Sequence, residues 1–289
     1  MHWHLGLLGG SLGHSLSPVI QRAALASAGL DGDYALVEVD AAGVAAAIEA
    51  LRRGAWHGLN VTLPHKVLAA SLVDRLEGAA EALGAVNTLV RAPDGAVVGH
   101  NTDVSGLGRA AREELALGPL AGAAVAVIGA GGAARAAVLA ALALGAGEVR
   151  VANRTPERAH ELVRALGERH GEARLLVADD ATAAARGAAL LLQASSHGMG
   201  LAPDAGPWSE ALSEALPSVA ALAPGAGVLD LVYRPRRTPW CAAAATLGRP
   251  AAHGLGMLVH QAADAFALWT GRVAPRAWLR AAAEEALGP

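Results

Sequence analysis

The chain contains one lysine, Lys66, among its 23 lysines and arginines. An ammonium can give up a proton, because its ordinary pKa of about 10.4 falls on burial or beside another cation, whereas a guanidinium stays charged throughout the working range. Lys66 is therefore a candidate proton donor. It closes the run GLNVTLPHK, residues 58 to 66, which also carries Asn60 and Thr62. Asparagine occurs only at Asn60, Asn87, Asn101 and Asn153, and glutamine only at Gln21, Gln193 and Gln261, so these residues mark positions that alanine, serine or arginine does not fill. Asn87-Thr88 and the segment His100 to Asp103 add hydrogen-bonding groups. Gly13 to Pro18, GHSLSP, sets Ser15 and Ser17 two apart just before an expected helix. Two hydroxyl donors and a favourable dipole there suit a carboxylate; capping alone would account for Ser17 but not for Ser15.

A second group lies in AVAVIGAGGAAR, residues 124 to 135, where Gly129, Gly131 and Ala134 occupy the positions of G-x-G-x-x-G/A. The run follows an apolar strand and opens a helix, and a second strand comes after it, as a dinucleotide fingerprint requires. Gly129, Ala130, Gly131, Gly132 and Ala133 would let a pyrophosphate reach the free N–H groups of the helix. Where an NAD site offers an acid to the ribose, this chain has Asn153, Arg154, Thr155 and, one turn on, Arg158. Arginine can bind a 2′-phosphate that an acid would repel, so NADP is expected over NAD. Thr155 also reads as a helix cap, and a plainer reading leaves both arginines solvated.

These groups need a scaffold that brings strand ends together. Apolar runs at 5–9, 34–39, 58–62, 85–91, 125–128, 149–152, 174–177, 190–193 and 228–232 read as strands, with helices between many of them. That alternation predicts an α/β protein with largely parallel sheets, the candidate groups lying at or beyond strand ends. The segment Ala92 to Gly95 reads as the turn of one hairpin. From Pro239 onward the pattern is purely helical. Two lobes are expected: 1–103, completed by 241–289, as the substrate-binding catalytic domain, and 104–240 as the nucleotide-binding Rossmann domain.

Composition narrows the function classes. A chain of 289 residues that is 53% hydrophobic can bury a large core. A net charge of −3 without a basic stripe argues against a nucleic-acid partner. Arginines and Gly/Pro pairs interrupt every apolar run, so no membrane span is expected. One cysteine, Cys241, and no basic, long-apolar leader point to a reduced cytoplasmic setting. The 11 histidines show no His-x-x-x-His or Cys/His cluster, and no metal site is expected.

The motifs HSLSP, NVTLPHK, GAVNT, NTD, GAGGAAR, NRT and GLGMLVHQ, in this order, resemble the shikimate dehydrogenase family over nearly the whole chain. The resemblance implies reduction of 3-dehydroshikimate to shikimate with NADPH, and a small-molecule ligand on a monomer or homodimer. It assigns Ser15 and Ser17 to the substrate carboxylate. Thr62, Lys66, Asn87, Asp103 and Gln261 go to the ring hydroxyls, with Lys66 and Asp103 as the catalytic pair. Asn60 is counted among the substrate groups and Tyr233 matches a substrate-side tyrosine; Leu231, Gly254 and Met257 match positions beside the nicotinamide. The chain departs from the family pattern at Gly10-Ser11, where a proline is usual, at Gln193, where asparagine is common, and at His65, often phenylalanine. Two rivals share the scaffold: a quinate/shikimate dehydrogenase using NAD, and a catalytically silent NADP sensor, which would not need both Lys66 and Asp103.

Overall fold

The structure is a computed structural model that describes residues 1–167, 174–203 and 205–288. The chain divides into two compact units, residues 1–106 with 258–288, and residues 107–257.

Unit 1 runs β1 (Trp3–Gly9), α1 (Ser17–Ser27), β2 (Gly32–Glu38), α2 (Ala41–Arg52), β3 (Gly58–Val61), α3 (Lys66–Leu72), β4 (Arg75–Leu76), α4 (Ala79–Leu83), β5 (Thr88–Arg91) and β6 (Val97–His100), and α5 (Asp103–Glu114) then leads out of it. Its six-stranded sheet has the order β2-β1-β3-β5-β6-β4. Only β5 runs against its neighbours, because the Ala92–Gly95 turn makes β5 and β6 the expected hairpin. One face is apolar: Leu8, Leu59, Val61 and Leu89 pack with Val44, Ile48 and Leu51 of α2 and with Ala69 and Ala80 of α3 and α4. Alternation turns Asn60 and Thr88 to the other face, since side chains on a strand point to opposite sides in turn.

Unit 2 runs β7 (Ala124–Ile128), α6 (Gly132–Ala143), β8 (Glu148–Ala152), α7 (Pro156–Gly167), β9 (Arg174–Val177), α8 (Ala181–Ala185), β10 (Leu190–Gln193), α9 (Gly206–Ala220), β11 (Gly227–Asp230), α10 (Pro239–Thr246) and β12 (Ala251–His253). All six strands are parallel, in the order β12-β11-β10-β7-β8-β9. Counted from β7, this is the 3-2-1-4-5-6 order of a dinucleotide-binding sheet, with its switch point between β7 and β10. The chain then returns to unit 1 through α11 (Leu255–Thr270) and α12 (Arg276–Leu287).

Two expectations need correction. The segment after Pro239 is not purely helical: β12 pairs with β11 from Val228↔Ala251 to Asp230↔His253. Ala-Ala-His has too little β-branched or aromatic character to read as a strand, and the neighbouring strand makes it one. For the same reason 241–257 belongs to the second unit, and the divisions fall at 106/107 and 257/258 rather than at 103/104 and 240/241. Among the described residues, no helix is long and apolar enough to cross a membrane.

Candidate active site

In unit 1 the ends of β3, β5 and β6 converge on one buried carboxylate. Asp103 opens α5, its backbone N–H held by Asn101 Oδ1 at 3.1 Å. Lys66 opens α3, and its carbonyl accepts from Val86 N at 3.0 Å, which ties the helix start to the residues entering β5. Lys66 Nζ donates to Asp103 Oδ2 at 2.5 Å, with both side chains largely shielded from solvent. Asn87 Nδ2 donates to Asp103 Oδ1 at 2.8 Å and also lies 3.0 Å from Thr102 Oγ1 and 3.3 Å from Gln261 Oε1. Asn87 Oδ1 accepts from Thr102 N at 2.8 Å and Thr88 Oγ1 at 3.0 Å. Lys66, Asn87, Asp103 and Gln261, spread over nearly 200 residues, thus form one bonded group. A charge-assisted bond at this distance, between largely shielded side chains, can hold an ammonium in a fixed direction.

The other expected substrate residues fall differently. The Asn60 side chain is bonded inward. Its Oδ1 accepts from the Tyr34 hydroxyl at 2.8 Å, and its Nδ2 donates to Asn87 O at 2.9 Å and Thr88 Oγ1 at 3.1 Å, so the whole amide is used inside the protein. The cap that Ser17 could have supplied to α1 is absent. Leu16 occupies the cap position without a side-chain cap bond, and it is Ser15 whose Oγ accepts from Ser17 N, at 3.2 Å. The Ser15 hydroxyl keeps its hydrogen free to donate. Ser17 is buried beside the Tyr34 hydroxyl. Thr62 follows β3, and its carbonyl accepts from His65 N at 3.0 Å. His65 is buried, and its Nε2 donates to Val39 O at 2.8 Å, away from the lysine.

In unit 2 the candidate cofactor residues sit at the C-terminal ends of parallel strands. Gly129 takes φ +119°, and a side chain there would meet the backbone of Ala194 and Ser195 beyond β10 at about 2.9 Å, so only glycine fits this turn. Gly131 is the N-cap of α6 without a side-chain cap, and side chains added at Gly131 or Gly132 would meet nothing. The first N–H groups of a twelve-residue helix are therefore open to a phosphate, which is the feature a dinucleotide needs. Ala130 precedes this N-cap and Ala133 lies in the first turn of α6. Past β8, Asn153 Nδ2 donates to Thr155 O at 2.8 Å, and Arg154, Thr155 and Arg158 are exposed with no acid from 153 to 156. The residues present fit a 2′-phosphate. Gly254 follows β12 so tightly that a side chain would run into the Leu231 carbonyl, which brings these two expected residues together. Met257 lies in the first turn of α11. Tyr233 is part-buried beyond β11, and burial raises its phenol pKa.

Sequence reading missed Tyr34 and left three other residues without partners. Tyr34 is one of only two tyrosines, so the scarcity that exposed Lys66 could have exposed it as well. Thr88 and Thr102 were named only as added hydrogen-bonding groups, and the structure gives their partners, since both bond Asn87. Gln193, noted as a scarce glutamine and as a departure, is fully buried: Nε2 donates to Ser195 O, His197 O and Asp230 Oδ1, and Oε1 accepts from Ser195 N. Burial pushes the Asp230 carboxyl up to about 7 against the bonds it receives from Thr238, Val232 and Gln193.

Comparison with known proteins covers the same segments. Residues 7–89 match the shikimate dehydrogenase substrate binding domain, 110–198 the shikimate / quinate 5-dehydrogenase family, and 254–284 the shikimate 5′-dehydrogenase C-terminal domain. A shikimate dehydrogenase (NADP(+)) of Geobacter metallireducens is 40% identical over 280 residues, 96% of this chain and 94% of that protein. Shikimate 5-dehydrogenase from Thermus thermophilus, solved with NADP(H) and shikimate, is 34% identical with a TM-score of 0.82 and covers 98% of this chain and 99% of its own. Quinate dehydrogenase from Corynebacterium glutamicum, solved with NAD, is 31% identical with a TM-score of 0.83, covering 97% and 98%. Sequence, fold and the order of the motifs agree, and the chain belongs to the shikimate dehydrogenase family.

Proposed function

We propose that the chain catalyses the reversible reduction of 3-dehydroshikimate to shikimate with NADPH, a step toward aromatic amino acids. The observation that carries this is the Lys66–Asp103 pair at 2.5 Å, a proton-bearing ammonium held by a carboxylate that Asn87 fixes from its other side. Making an alcohol from a ketone takes a hydride at carbon and a proton at oxygen. NADPH, when bound, supplies the hydride. Lys66 supplies the proton to the new hydroxyl oxygen, and Asp103 orients the ammonium and accepts from the reacting hydroxyl. Positioned proton transfer of this kind is worth about 10² to 10⁴ in rate.

The remaining roles follow from what each group can offer. Ser15, with its hydrogen free, donates to the substrate carboxylate, and Ser17 stands beside it. Thr62, Asn87 and Gln261 read the ring hydroxyls, and Tyr233 keeps the substrate-side role that the family resemblance gives it. The N–H groups from Gly129 to Ala133 take the pyrophosphate, with Asn153, Arg154, Thr155 and Arg158 on the adenosine phosphate. Leu231, Gly254 and Met257 flank the nicotinamide. Unit 1 is then the substrate domain and unit 2 the NADP domain, of a cytoplasmic protein acting as a monomer or homodimer.

Likeness to a quinate dehydrogenase solved with NAD favours a second reading, in which quinate and NAD are the working pair. The assay that decides mixes the purified protein with shikimate or quinate and with NADP⁺ or NAD⁺, and follows absorbance of the reduced nicotinamide. Fastest turnover is expected with shikimate and NADP⁺. Preference for quinate and NAD⁺ selects the second reading, and silence with all four pairs removes the enzyme reading.

A further inference from the structure

We propose that Tyr34 is a positioning residue for the Lys66–Asp103 pair, acting through the side chain of Asn60; this rests on the reading of that pair as the proton-transfer groups. Tyr34 lies on β2, the edge strand, and its side chain is 1% exposed. Its phenol reaches past β1 to β3, where it donates to Asn60 Oδ1 at 2.8 Å.

Counting hydrogens fixes the direction of the chain of bonds. Both Asn60 amide hydrogens are spent, on Asn87 O and Thr88 Oγ1, so Oδ1 is the acceptor and the tyrosine must be the donor. Thr88 Oγ1 passes its own hydrogen to Asn87 Oδ1 at 3.0 Å. With its carbonyl bonded on that side, Asn87 directs Nδ2 at Asp103 Oδ1, and Asp103 Oδ2 holds Lys66. Asn87 O also accepts from Val61 N at 2.9 Å, so Asn60 grips the junction of β3 and β5 at the point where the site begins.

Packing alone does not require this hydroxyl. Phenylalanine fills nearly the same volume, and a buried hydroxyl costs free energy unless it is bonded. Burial raises the Tyr34 pKa well above the ordinary phenol range, so the group remains a donor at every working pH. A fully satisfied buried network of this type is rigid, and rigidity at Asn87 is what a 2.8 Å bond to the acid demands.

The single lysine makes the test direct. With ¹³C-lysine labelling the protein carries one lysine side-chain resonance, that of Lys66. Tyr34→Phe is expected to displace this resonance and to lower kcat about three- to tenfold, the size of one neutral hydrogen bond, with KM for NADP⁺ unchanged. Thr88→Val, nearly isosteric, breaks the same chain on the far side of Asn60. It is expected to displace the resonance too, and the double variant to fall short of the sum of the singles. A lysine resonance at the wild-type position in either folded variant, with only a lower melting temperature, makes the network purely structural and overturns the proposal; so does strict additivity. If Tyr34→Phe does not fold, Thr88→Val decides alone. The resonance does not depend on what the protein turns over, so failure of wild type to oxidise shikimate counts against the proposed function and not against this inference.

Discussion

Unit 1 and unit 2 present their candidate chemistry in opposite materials. In unit 1 the working groups are side chains, buried and bonded to one another, so that Asp103 answers to Lys66, Asn87 and, through them, to Thr88 and Gln261. In unit 2 the cradle is backbone, opened by Gly129 and Gly131 at the start of α6, and the charged groups around it, Arg154 and Arg158, stand in solvent. A proton-transfer site needs directions fixed to a fraction of an ångström, and interlocked side chains supply that. A phosphate site needs access and donors, which bare backbone at a helix start already has. Substitutions should therefore propagate in unit 1 and stay local in unit 2.

The largest effect should come from the lysine. Lys66→Ala, or Lys66→Arg with the charge retained, is expected to lower kcat by about 10² or more with a modest change in KM for shikimate, because the lost proton transfer matters in the transition state. Steady-state kinetics at saturating NADP⁺ check it. A raised KM with kcat intact would make the lysine a binding residue and erase the contrast between the units.

Arg154→Ala probes the local case. Removing one charge-assisted phosphate contact is expected to raise KM for NADP⁺ by about 10- to 100-fold while leaving KM for NAD⁺ and kcat near wild type. The ratio of the two KM values is the measurement, and an equal rise for both cofactors would mean that Arg154 does not meet the 2′-phosphate.

Asp230 is where unit 2 behaves like unit 1. Burial raises its folded pKa to about 7, above the unfolded 3.8, so folding favours the protonated acid. The cost of ionising it is absent below about pH 4, grows as pH rises, and is fully present above about 7. Asp230→Asn keeps an acceptor for Val232 N and Gln193 Nε2. The variant should match wild-type melting temperature near pH 4 and exceed it increasingly toward pH 8. A gap that does not change with pH would show that the carboxyl does not titrate with folding.

The unequal legibility of the two sites follows from the same contrast. The backbone cradle is written locally, since a strand, a glycine spacing and a helix within about thirty residues suffice, and Gly129 to Ala133 could be read directly. The strands other than β4 and β12 were legible for the same reason, apolar residues in short stretches, while those two were not, because their neighbours rather than their composition make them strands. In unit 1 scarcity pointed to Lys66, and family resemblance to Asp103. Neither could show that Asn60 turns inward. That depends on strand register and on Tyr34, 26 residues earlier on another strand. The bond from Asn87 to Gln261 spans 174 residues, a separation over which no local pattern acts.

His65 gives the smallest expected effect and the sharpest test of whether adjacency in sequence matters within the network. It precedes the lysine and replaces a frequent phenylalanine, yet its Nε2 must be the donor to Val39 O at 2.8 Å, since a carbonyl can only accept. The ring therefore tethers the start of α3 to the end of β2 and offers Lys66 nothing. His65→Phe fills the same space and gives up that bond, which is expected to lower the unfolding free energy by about 1 kcal/mol. Because no bond in the chain from Tyr34 to Lys66 passes through His65, kcat and its pH profile should stay within a factor of about three of wild type. Chemical denaturation and a kcat–pH series read the two separately. A kcat loss of about tenfold or more at unchanged stability would mean that the imidazole reaches the proton transfer by a route that its hydrogen bond does not reveal.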